Sequence, residues 1–338
     1  MTLTRRRLLA ATGTLAAASL LSACNSSSTT PVEVAANASP SGTGFPVAVT
    51  HKYGVTEVLT PPQRIVTVGL TEQDTLLALG HRPVGVTEWY GKQPSAVWPW
   101  ARTALGDAQP EVLSTADGFQ LEKIGALVPD LIIGTNSGMT KQDYASLSKL
   151  APTIANSGNY DSDYFEPWTI QTSQIGAAVG RPAEAAQLIA DIQRRYRDAA
   201  AAHPQFANQK AVFLQAPYYE GNAIAYQDGL GTDFITDLGF TVPKEIDAYA
   251  TEDGQAYLPV EKLDVLDVAD VLIWATENDA ARAELEKNKL FGQLRAVREG
   301  CSLYTGAELS GAIYFSTVLS LPYILDTLLP QLERVLPA

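Results

Sequence analysis

The sequence is poor in the residues that build metal centres and nucleophilic catalytic sites. It has two cysteines and three histidines among 338 residues. The histidines (His51, His81 and His203) form no i,i+4 pair and have no cysteine in ligand spacing, so we expect no metal bound directly by the protein. There is also no Gly-x-Ser-x-Gly motif and no glycine-rich phosphate loop. These absences predict that the protein is not an enzyme and has no cofactor; the alternative is a catalytic pair among its many acidic residues.

The N-terminus predicts export and a lipid anchor. Arg5-Arg6-Arg7 precedes an apolar stretch, which ends in Leu21-Ser22-Ala23-Cys24. The first feature resembles a twin-arginine export signal and the second resembles the lipobox of bacterial lipoproteins. We predict a signal peptide over residues 1–23, lipidation at Cys24 and a flexible polar tether over 24–45. The lipid would anchor the exported chain to the outer face of the cytoplasmic membrane, in the cell envelope. An ordinary cleaved signal is the alternative.

The exported chain would be acidic. The full sequence has a formal net charge of −13. Removal of the signal peptide takes away three arginines and leaves the exported chain with −16. We do not expect an acidic protein to bind nucleic acid or an anionic membrane surface, but its charge favours binding to a partner that bears arginines. Cys301 is the only cysteine besides Cys24, so we expect no intramolecular disulfide.

A long helix in the middle of the chain organises the rest. The pattern predicts a short helix from Pro167, a break at Gly180-Arg181-Pro182 and an amphipathic helix over 183–202, roughly 30 Å long at 1.5 Å per residue. We expect an α/β lobe over 46–166, the connecting helix over 167–207 and a second α/β lobe over 208–338. The apolar positions of the long helix recur at three- and four-residue steps: Ala185, Leu188, Ile189, Ile192, Tyr196 and Ala199.

The two flanking halves resemble each other. Segments 121–133 and 260–273 each predict an amphipathic helix opened by a glutamate (Glu122 or Glu261), a turn at an aspartate (Asp130 or Asp270) and a strand buried on both faces. A carboxylate in the first turn of a helix is stabilising by typically ~0.3–1 kcal/mol, which explains either glutamate alone. It does not explain why both copies have one. Two carboxylates placed symmetrically about the long helix could dock against a two-fold partner that bears cations.

Aromatic and polar residues follow the predicted strands of both halves. Ligands of open α/β sheets bind outside the carboxyl ends of the strands, and Tyr and Trp can hold a large, partly apolar ligand while their polar groups orient it. The alternative is that several of these residues belong to the core. The candidates for ligand contact are Trp89, Tyr90, Asn136, Tyr164, Tyr218, Tyr219, Tyr226, Trp274 and Tyr314.

Over residues 47–336 the chain resembles the substrate-binding lipoproteins of ABC importers for iron-siderophores, haem and cobalamin. The resemblance implies two Rossmann-like α/β lobes joined by a single long helix, of the class III periplasmic-binding-protein type, with a shallow cleft and small hinge motion. A haem- or cobalamin-binding receptor of the same importer class is the alternative to a ferric siderophore receptor. The resemblance is carried by the order and spacing of His51-Lys52-Tyr53-Gly54, 62–68, 76–86, 121–133, 234–239, 294–297 and 320–326.

The resemblance also implies partners and site residues. Glu122 and Glu261 fall on the two family glutamates that contact arginines of the permease dimer, and Trp89 and Tyr257 fall where cobalamin-binding relatives place cleft aromatics. Few arginines or lysines are placed for the cleft, which favours a neutral or weakly charged ferric siderophore, such as a hydroxamate. The siderophore would satisfy the coordination of iron, and the protein, a monomer, would contribute shape, stacking and hydrogen bonds. A hydrolase or a sugar-binding surface protein is a third hypothesis.

Overall fold

The computed structural model describes residues 44–160, 162–251 and 254–337. The predicted signal peptide, Cys24 and nearly all of the predicted tether lie outside these residues. Among the described residues, no helix combines the length and the apolar character that crossing a membrane requires.

The N-terminal lobe is built on a five-stranded parallel sheet. It follows an antiparallel hairpin of β1 (Val47–His51) and β2 (Gly54–Val58). The sheet has the order β5-β4-β3-β6-β7, formed by β3 (Ile65–Thr67), β4 (Gly85–Thr87), β5 (Glu111–Leu113), β6 (Leu131–Gly134) and β7 (Thr153–Ala155). Its helices are α1 (Glu72–Ala78), α2 (Pro99–Leu105), α3 (Leu121–Ala126) and α4 (Lys141–Leu147).

The connection between the lobes consists of two helices, α5 (Trp168–Ala178) and α6 (Pro182–Ala202). The break falls at Gly180, whose φ of 70° is readily adopted only by glycine, and Pro182 is the first residue of α6. Ala185 packs into the core of the N-terminal lobe, whereas Tyr196 packs into the core of the C-terminal lobe. The helix therefore has one end in each core, and the prediction of a single long connecting helix is confirmed.

The C-terminal lobe has a second five-stranded sheet with the same strand order. The order is β10-β9-β8-β11-β12, formed by β8 (Ala211–Gln215), β9 (Asn222–Tyr226), β10 (Gln255–Pro259), β11 (Val271–Ala275) and β12 (Ser302–Tyr304). Here β9 is antiparallel to both of its neighbours. The helices are α7 (Asp233–Thr236), α8 (Asp279–Lys287), α9 (Arg295–Arg298), α10 (Gly306–Phe315) and α11 (Ser320–Val335). Short 3-10 helices lie at Pro94–Ala96, Pro204–Phe206, Lys244–Tyr249, Val260–Val268 and Phe291–Gln293.

The repeated sequence segments perform the same structural task in each lobe. The carboxylate of Asp130 accepts hydrogen bonds from the backbone N–H groups of Gln63 and Arg64, at 2.7 and 2.8 Å. The carboxylate of Asp270 accepts one from the N–H of Lys210 at 2.8 Å. Each aspartate thus fixes the chain that enters the neighbouring central strand. One part of the prediction was wrong, because the segment containing Glu261 forms a 3-10 helix with a kink at Lys262 rather than an α-helix.

Candidate functional site

The two lobes meet at a buried polar contact. Thr317, between α10 and α11, donates a hydrogen bond from Oγ1 to Oδ2 of Asp74 on α1 at 2.5 Å. The indole Nε1 of Trp100 on α2 donates to the same oxygen at 2.8 Å. Asp74 is 1% exposed, and burial raises its pKa to about 6, against the opposing effect of these two hydrogen bonds. This contact joins α1 and α2 of one lobe to α10 and α11 of the other.

Aromatic rings surround this contact and continue outward between the lobes. Trp98 and Trp100 stack with centroids 5.1 Å apart and planes 10° apart. Trp98 also lies against Gly311 of α10, where an added Cβ would come within 2.8 Å of the indole ring. The glycine therefore permits the close approach of the indole to α10.

Trp89 and Tyr90, in the loop after β4, extend the ring contacts toward α10. The Trp89 ring lies 5.5 Å from Phe165 and 5.2 Å from Phe315, and the Tyr90 ring lies 5.9 Å from Tyr314. These distances are typical of favourable aromatic pairs. We call the whole set the interlobe aromatic cluster: Trp89, Tyr90, Trp98, Trp100, Phe165, Tyr314 and Phe315.

The surroundings of the cluster raise the pKa of its two tyrosine hydroxyls. Burial, and then the nearby groups Glu277 and Tyr226, raise the pKa of Tyr90. Burial raises the pKa of Tyr314 as well, with Tyr226, Tyr90 and Glu277 contributing. Both phenols are therefore neutral hydrogen-bonding groups at physiological pH. The Tyr90 hydroxyl has no hydrogen-bond partner among the described residues.

Tyr226 contacts the interlobe aromatic cluster, although its position in the sequence does not indicate this contact. Its ring lies 5.0 Å from Phe213 and 6.3 Å from Tyr314, and Gln215 donates a hydrogen bond to its hydroxyl at 2.7 Å. The strand-end argument for this residue was wrong, because β9 runs antiparallel to β8. Tyr226 lies at the C-terminal end of its own strand but beside the middle of the parallel ones.

Asn136 holds the backbone of the N-terminal lobe. It is 1% exposed, its side-chain amide donates to Thr71 Oγ1 at 3.0 Å, and its side-chain oxygen accepts from the N–H of Phe165 at 2.9 Å. These hydrogen bonds give Asn136 a structural role, since it fixes the loop that carries Phe165, and its contact with a ligand stays a prediction. Tyr164, the next predicted residue in that loop, is 42% exposed, and its ring lies 6.2 Å from that of Phe165.

Trp274 belongs to the core of the C-terminal lobe. It is fully buried in the middle of the sheet and its ring lies 5.5 Å from Phe291, so its position favours the core role, and its ligand contact stays a prediction. Tyr218 packs at the same face of the sheet, 6.4 Å from Trp274. Tyr219 is exposed in the turn between β8 and β9, and Tyr257 lies on the edge strand β10. The described ring contacts connect none of these four residues to the interlobe aromatic cluster.

Sequence reasoning missed Trp98 and Trp100. The signal was present in the run Trp98-Pro99-Trp100, in which the proline starts α2 and places one tryptophan on each side of the helix start. Glu277 was also missed, although it lies two residues beyond the end of β11, at the carboxyl edge of the sheet. Phe165 and Phe315 are the sequence neighbours of the predicted Tyr164 and Tyr314.

The crevice at the centre of the N-terminal sheet is occupied by the chain itself. The strand order reverses between β3 and β6, which is where open α/β sheets commonly bind ligands. Here Oε1 of Glu72 accepts from the N–H of Asn136 at 2.7 Å, and Oε2 accepts from that of Thr71 at 3.1 Å. Burial raises the pKa of Glu72 to about 7, despite these hydrogen bonds. This crevice is therefore a weaker candidate for the ligand site than the interlobe aromatic cluster.

The two glutamates predicted to dock a partner are both exposed, one in each lobe. Glu122 lies in the first turn of α3 and Glu261 in the first turn of the 3-10 helix at 260–268. In the described parts of the chain, no group of three or more His, Cys, Asp or Glu residues could hold a metal ion.

The fold and the composition of the site define a class of protein. The family model for periplasmic binding protein matches residues 65–309, which is most of the chain, so the protein belongs to this family of solute-binding proteins. The resemblance and the fold class predicted from the sequence are confirmed.

Three proteins similar to this chain, in sequence or in structure, are binding proteins. A periplasmic solute binding protein from Mycobacterium smegmatis is 43% identical, with a TM-score of 0.80 over 86% of this chain and 99% of that one. The "Probable siderophore-binding lipoprotein YfiY" of Bacillus subtilis is 27% identical over 85% of this chain and 86% of its own. The iron uptake ABC transporter substrate-binding protein PiaA of Streptococcus pneumoniae is 25% identical, with a TM-score of 0.68 over 86% and 99% of the two chains.

Proposed function

We propose that this protein is an extracytoplasmic receptor that captures a ferric siderophore and delivers it to an ABC importer for iron uptake. The observation that carries the proposal is the interlobe aromatic cluster, to which both lobes contribute rings. A cleft with such walls suits a ligand with a large, partly apolar surface. The likeness to YfiY and PiaA, whose names refer to siderophore binding and iron uptake, supports the same proposal.

The iron would be cargo, coordinated by the siderophore alone. The residues of the cluster are appropriate for this role, because indole rings, and phenols kept neutral by a pKa that burial raises, are poor ligands for a metal but good surfaces for an organic shell. The buried hydroxyl of Tyr90 has no hydrogen-bond partner among the described residues, and in this proposal it donates to an oxygen of the siderophore.

Delivery requires contact with a membrane partner. We propose that Glu122 and Glu261 each form an ion pair with an arginine of a two-fold permease, one on each lobe, while the receptor itself is a monomer. Their exposure on separate lobes supports this assignment. Lipidation at Cys24 would keep the exported receptor at the outer face of the membrane, close to that partner.

Purification of the full-length protein from iron-limited cells tests the proposal. We expect the protein to carry a coloured ferric complex whose absorption lies in the charge-transfer range of hydroxamate or catecholate iron, with a small iron-binding molecule released on denaturation. A Soret band, or a corrinoid spectrum, would instead identify haem or cobalamin as the cargo and would contradict the proposal.

A further inference from the structure

The surface around Glu122 in the N-terminal lobe carries exposed apolar side chains. Leu121 is 38% exposed, Val128 69% and Leu150 37%. All three lie around Gly125. Leu121 precedes Gly125 by four residues on α3, which places both on one face of the helix. The N–H of Val128 donates to the carbonyl oxygen of Gly125 at 3.0 Å, and Leu150 Cδ2 lies 3.5 Å from where a Cβ on Gly125 would be. We call these four residues the α3 patch.

Val128 has a backbone conformation that is unfavourable for its side chain. Its φ is 48°, in the left-handed region, where a β-branched residue is strained and where glycine or asparagine is accommodated more easily. Burial does not compensate for this strain, because most of the residue is exposed. Val128 therefore stabilises the chain less than glycine or asparagine would at this position. Residues of this kind cluster at functional sites, so the conformation of Val128 points to a role in binding.

The side chain of Arg64 holds the turn that presents Val128. Its Nε and Nη2 donate to the carbonyl oxygen of Leu127 at 3.0 and 2.6 Å, and Nε also donates to that of Val128 at 3.1 Å. The backbone N–H of Arg64 is itself held by the carboxylate of Asp130. These hydrogen bonds fix the turn in one conformation, so the α3 patch is preorganised for contact with a partner.

The repeated segment of the C-terminal lobe has the same backbone support but no such patch. Arg295 Nε donates to the carbonyl oxygen of Asp267 at 3.1 Å, as Arg64 does to that of Leu127 in the other lobe. No large hydrophobic side chain of residues 260–270 is exposed. The exposed residues that follow Glu261 are charged: Lys262, Asp264 and Asp267. The apolar surface is therefore specific to the segment of Glu122 and is not a consequence of the repeat.

The position of Glu122 indicates what covers the α3 patch. Glu122 follows Leu121 directly, is exposed and takes part in none of the ion pairs found among the described residues. A partner that placed an arginine against this carboxylate would bring its neighbouring side chains onto the patch. An apolar centre with a charged group at its rim is the usual composition of a protein–protein interface.

We infer that the α3 patch is the apolar part of the docking surface of the N-terminal lobe, and that Val128 inserts into an apolar recess of the ABC permease beside the arginine that pairs with Glu122. This inference rests on the proposed function and deepens it, because the two docking glutamates supply only charge. It accounts for a strained, exposed valine that the stability of the chain itself does not require.

Two substitutions at one position test the inference in the full-length protein. Val128→Asn removes the apolar side chain but accepts the left-handed conformation, so its melting temperature should rise. Its uptake of radioactive iron, in iron-limited cells that make limiting amounts of the receptor, should fall at least about fivefold, because Val128 is central to the proposed contact. Val128→Ile keeps a branched apolar side chain and should support normal uptake. Both variants should bind the ferric complex that co-purifies with the receptor as tightly as the unaltered protein does.

Val55→Asn is the matched control. Val55 is 61% exposed on the β1–β2 hairpin, away from both docking glutamates in the sequence, and it lies in a strand rather than in a left-handed turn. The substitution makes the same chemical change as Val128→Asn. It should leave uptake and affinity unchanged and should not raise the melting temperature.

Four outcomes would overturn the inference. Normal uptake by Val128→Asn, or an equal loss by Val55→Asn, would reject it and leave the proposed function in place. Weaker binding of the ferric complex by Val128→Asn would show that the patch acts on the cleft instead of on docking. Dimers of the unaltered protein in size-exclusion chromatography that Val128→Asn abolishes would identify a second copy of the chain as the occupant. Absence of both ferric complex binding and iron uptake in the unaltered protein would reject the proposed function as well.

Discussion

Thr317 Oγ1 donates a 2.5 Å hydrogen bond to Asp74 Oδ2, and this bond joins the C-terminal lobe to the N-terminal lobe inside the protein. The second donor to the same oxygen, Trp100, belongs to the aromatic cluster that we propose as the ligand site. The lobe contact and the site therefore share residues. Ligand affinity and the stability of the lobe contact should respond to the same substitutions.

Asp74 should make stability depend on pH. Its pKa is about 6 in the folded chain and 3.8 in the reference state, so the folded protein binds the extra proton between these values. The free energy of unfolding should therefore fall as the pH rises from about 4 to about 6, by up to about 3 kcal/mol at ~1.4 kcal/mol per pKa unit.

Urea unfolding of the unaltered protein and of Asp74→Asn across this range measures the effect. The asparagine can still accept hydrogen bonds from Thr317 and Trp100 but does not ionise. The difference in stability between the two proteins should shift in favour of the variant as the pH rises, and a difference that is constant with pH would refute this account of Asp74.

Gly311 should not tolerate alanine, although it lies inside a helix. Glycine-to-alanine substitution usually stabilises a helix interior by about 1 kcal/mol. Here the new Cβ would come within 2.8 Å of the Trp98 ring, so we expect a net loss of about 1–3 kcal/mol instead. Gly292→Ala is the control, because nothing lies within 4 Å of its added Cβ. Denaturant unfolding of both variants gives the comparison, and a stabilised Gly311→Ala would show that the two lobes do not pack here.

Trp89 should contribute to ligand affinity. Its ring contacts Phe165 of the same lobe and Phe315 of the other. Truncation of a central aromatic residue in a binding site commonly costs about 2 kcal/mol, so Trp89→Ala should weaken ferric siderophore binding by at least about tenfold. Tyr160→Ala removes an exposed ring outside the cluster and should bind as the unaltered protein does. Equal affinities of the two variants in calorimetric titration would place the ligand elsewhere.

The docking assignment predicts a loss of uptake without a loss of binding. The double variant Glu122→Lys and Glu261→Lys should abolish uptake of radioactive iron in cells while siderophore affinity of the purified protein stays unchanged. A second double variant, Glu57→Lys with Glu284→Lys, makes the same change in net charge at other exposed positions and should support uptake. Normal uptake by the first variant would remove the docking role of the two glutamates.

Much of the fold could be predicted because the sequence repeats its pattern. Asp130 and Asp270 recur at matched positions since each carboxylate binds the backbone at the start of a central strand. The amphipathic period of α6 and the glycine and proline at its start were equally informative. The direction of β9 was not predictable, because strand patterns have the same period of two in either direction.

The site was predicted less well because aromatic side chains serve core and ligand alike. The sequence showed β11 as a strand buried on both faces, and Trp274 in it is accordingly core. Trp98 and Trp100 follow no strand directly, and their place in the cluster depends on packing against α10 of the other lobe. Such contacts between distant segments leave no local pattern in the sequence.

Tryptophan fluorescence titration with a ferric siderophore and with its iron-free form tests the central claim most directly. Trp89 lies in the proposed cleft, so we predict saturable quenching by the ferric form, much weaker binding of the iron-free form, and reduced quenching in Trp89→Phe, in which Trp98 and Trp100 of the cluster remain. Tight, saturable binding of haem or cobalamin without any response to ferric siderophores would contradict the claim.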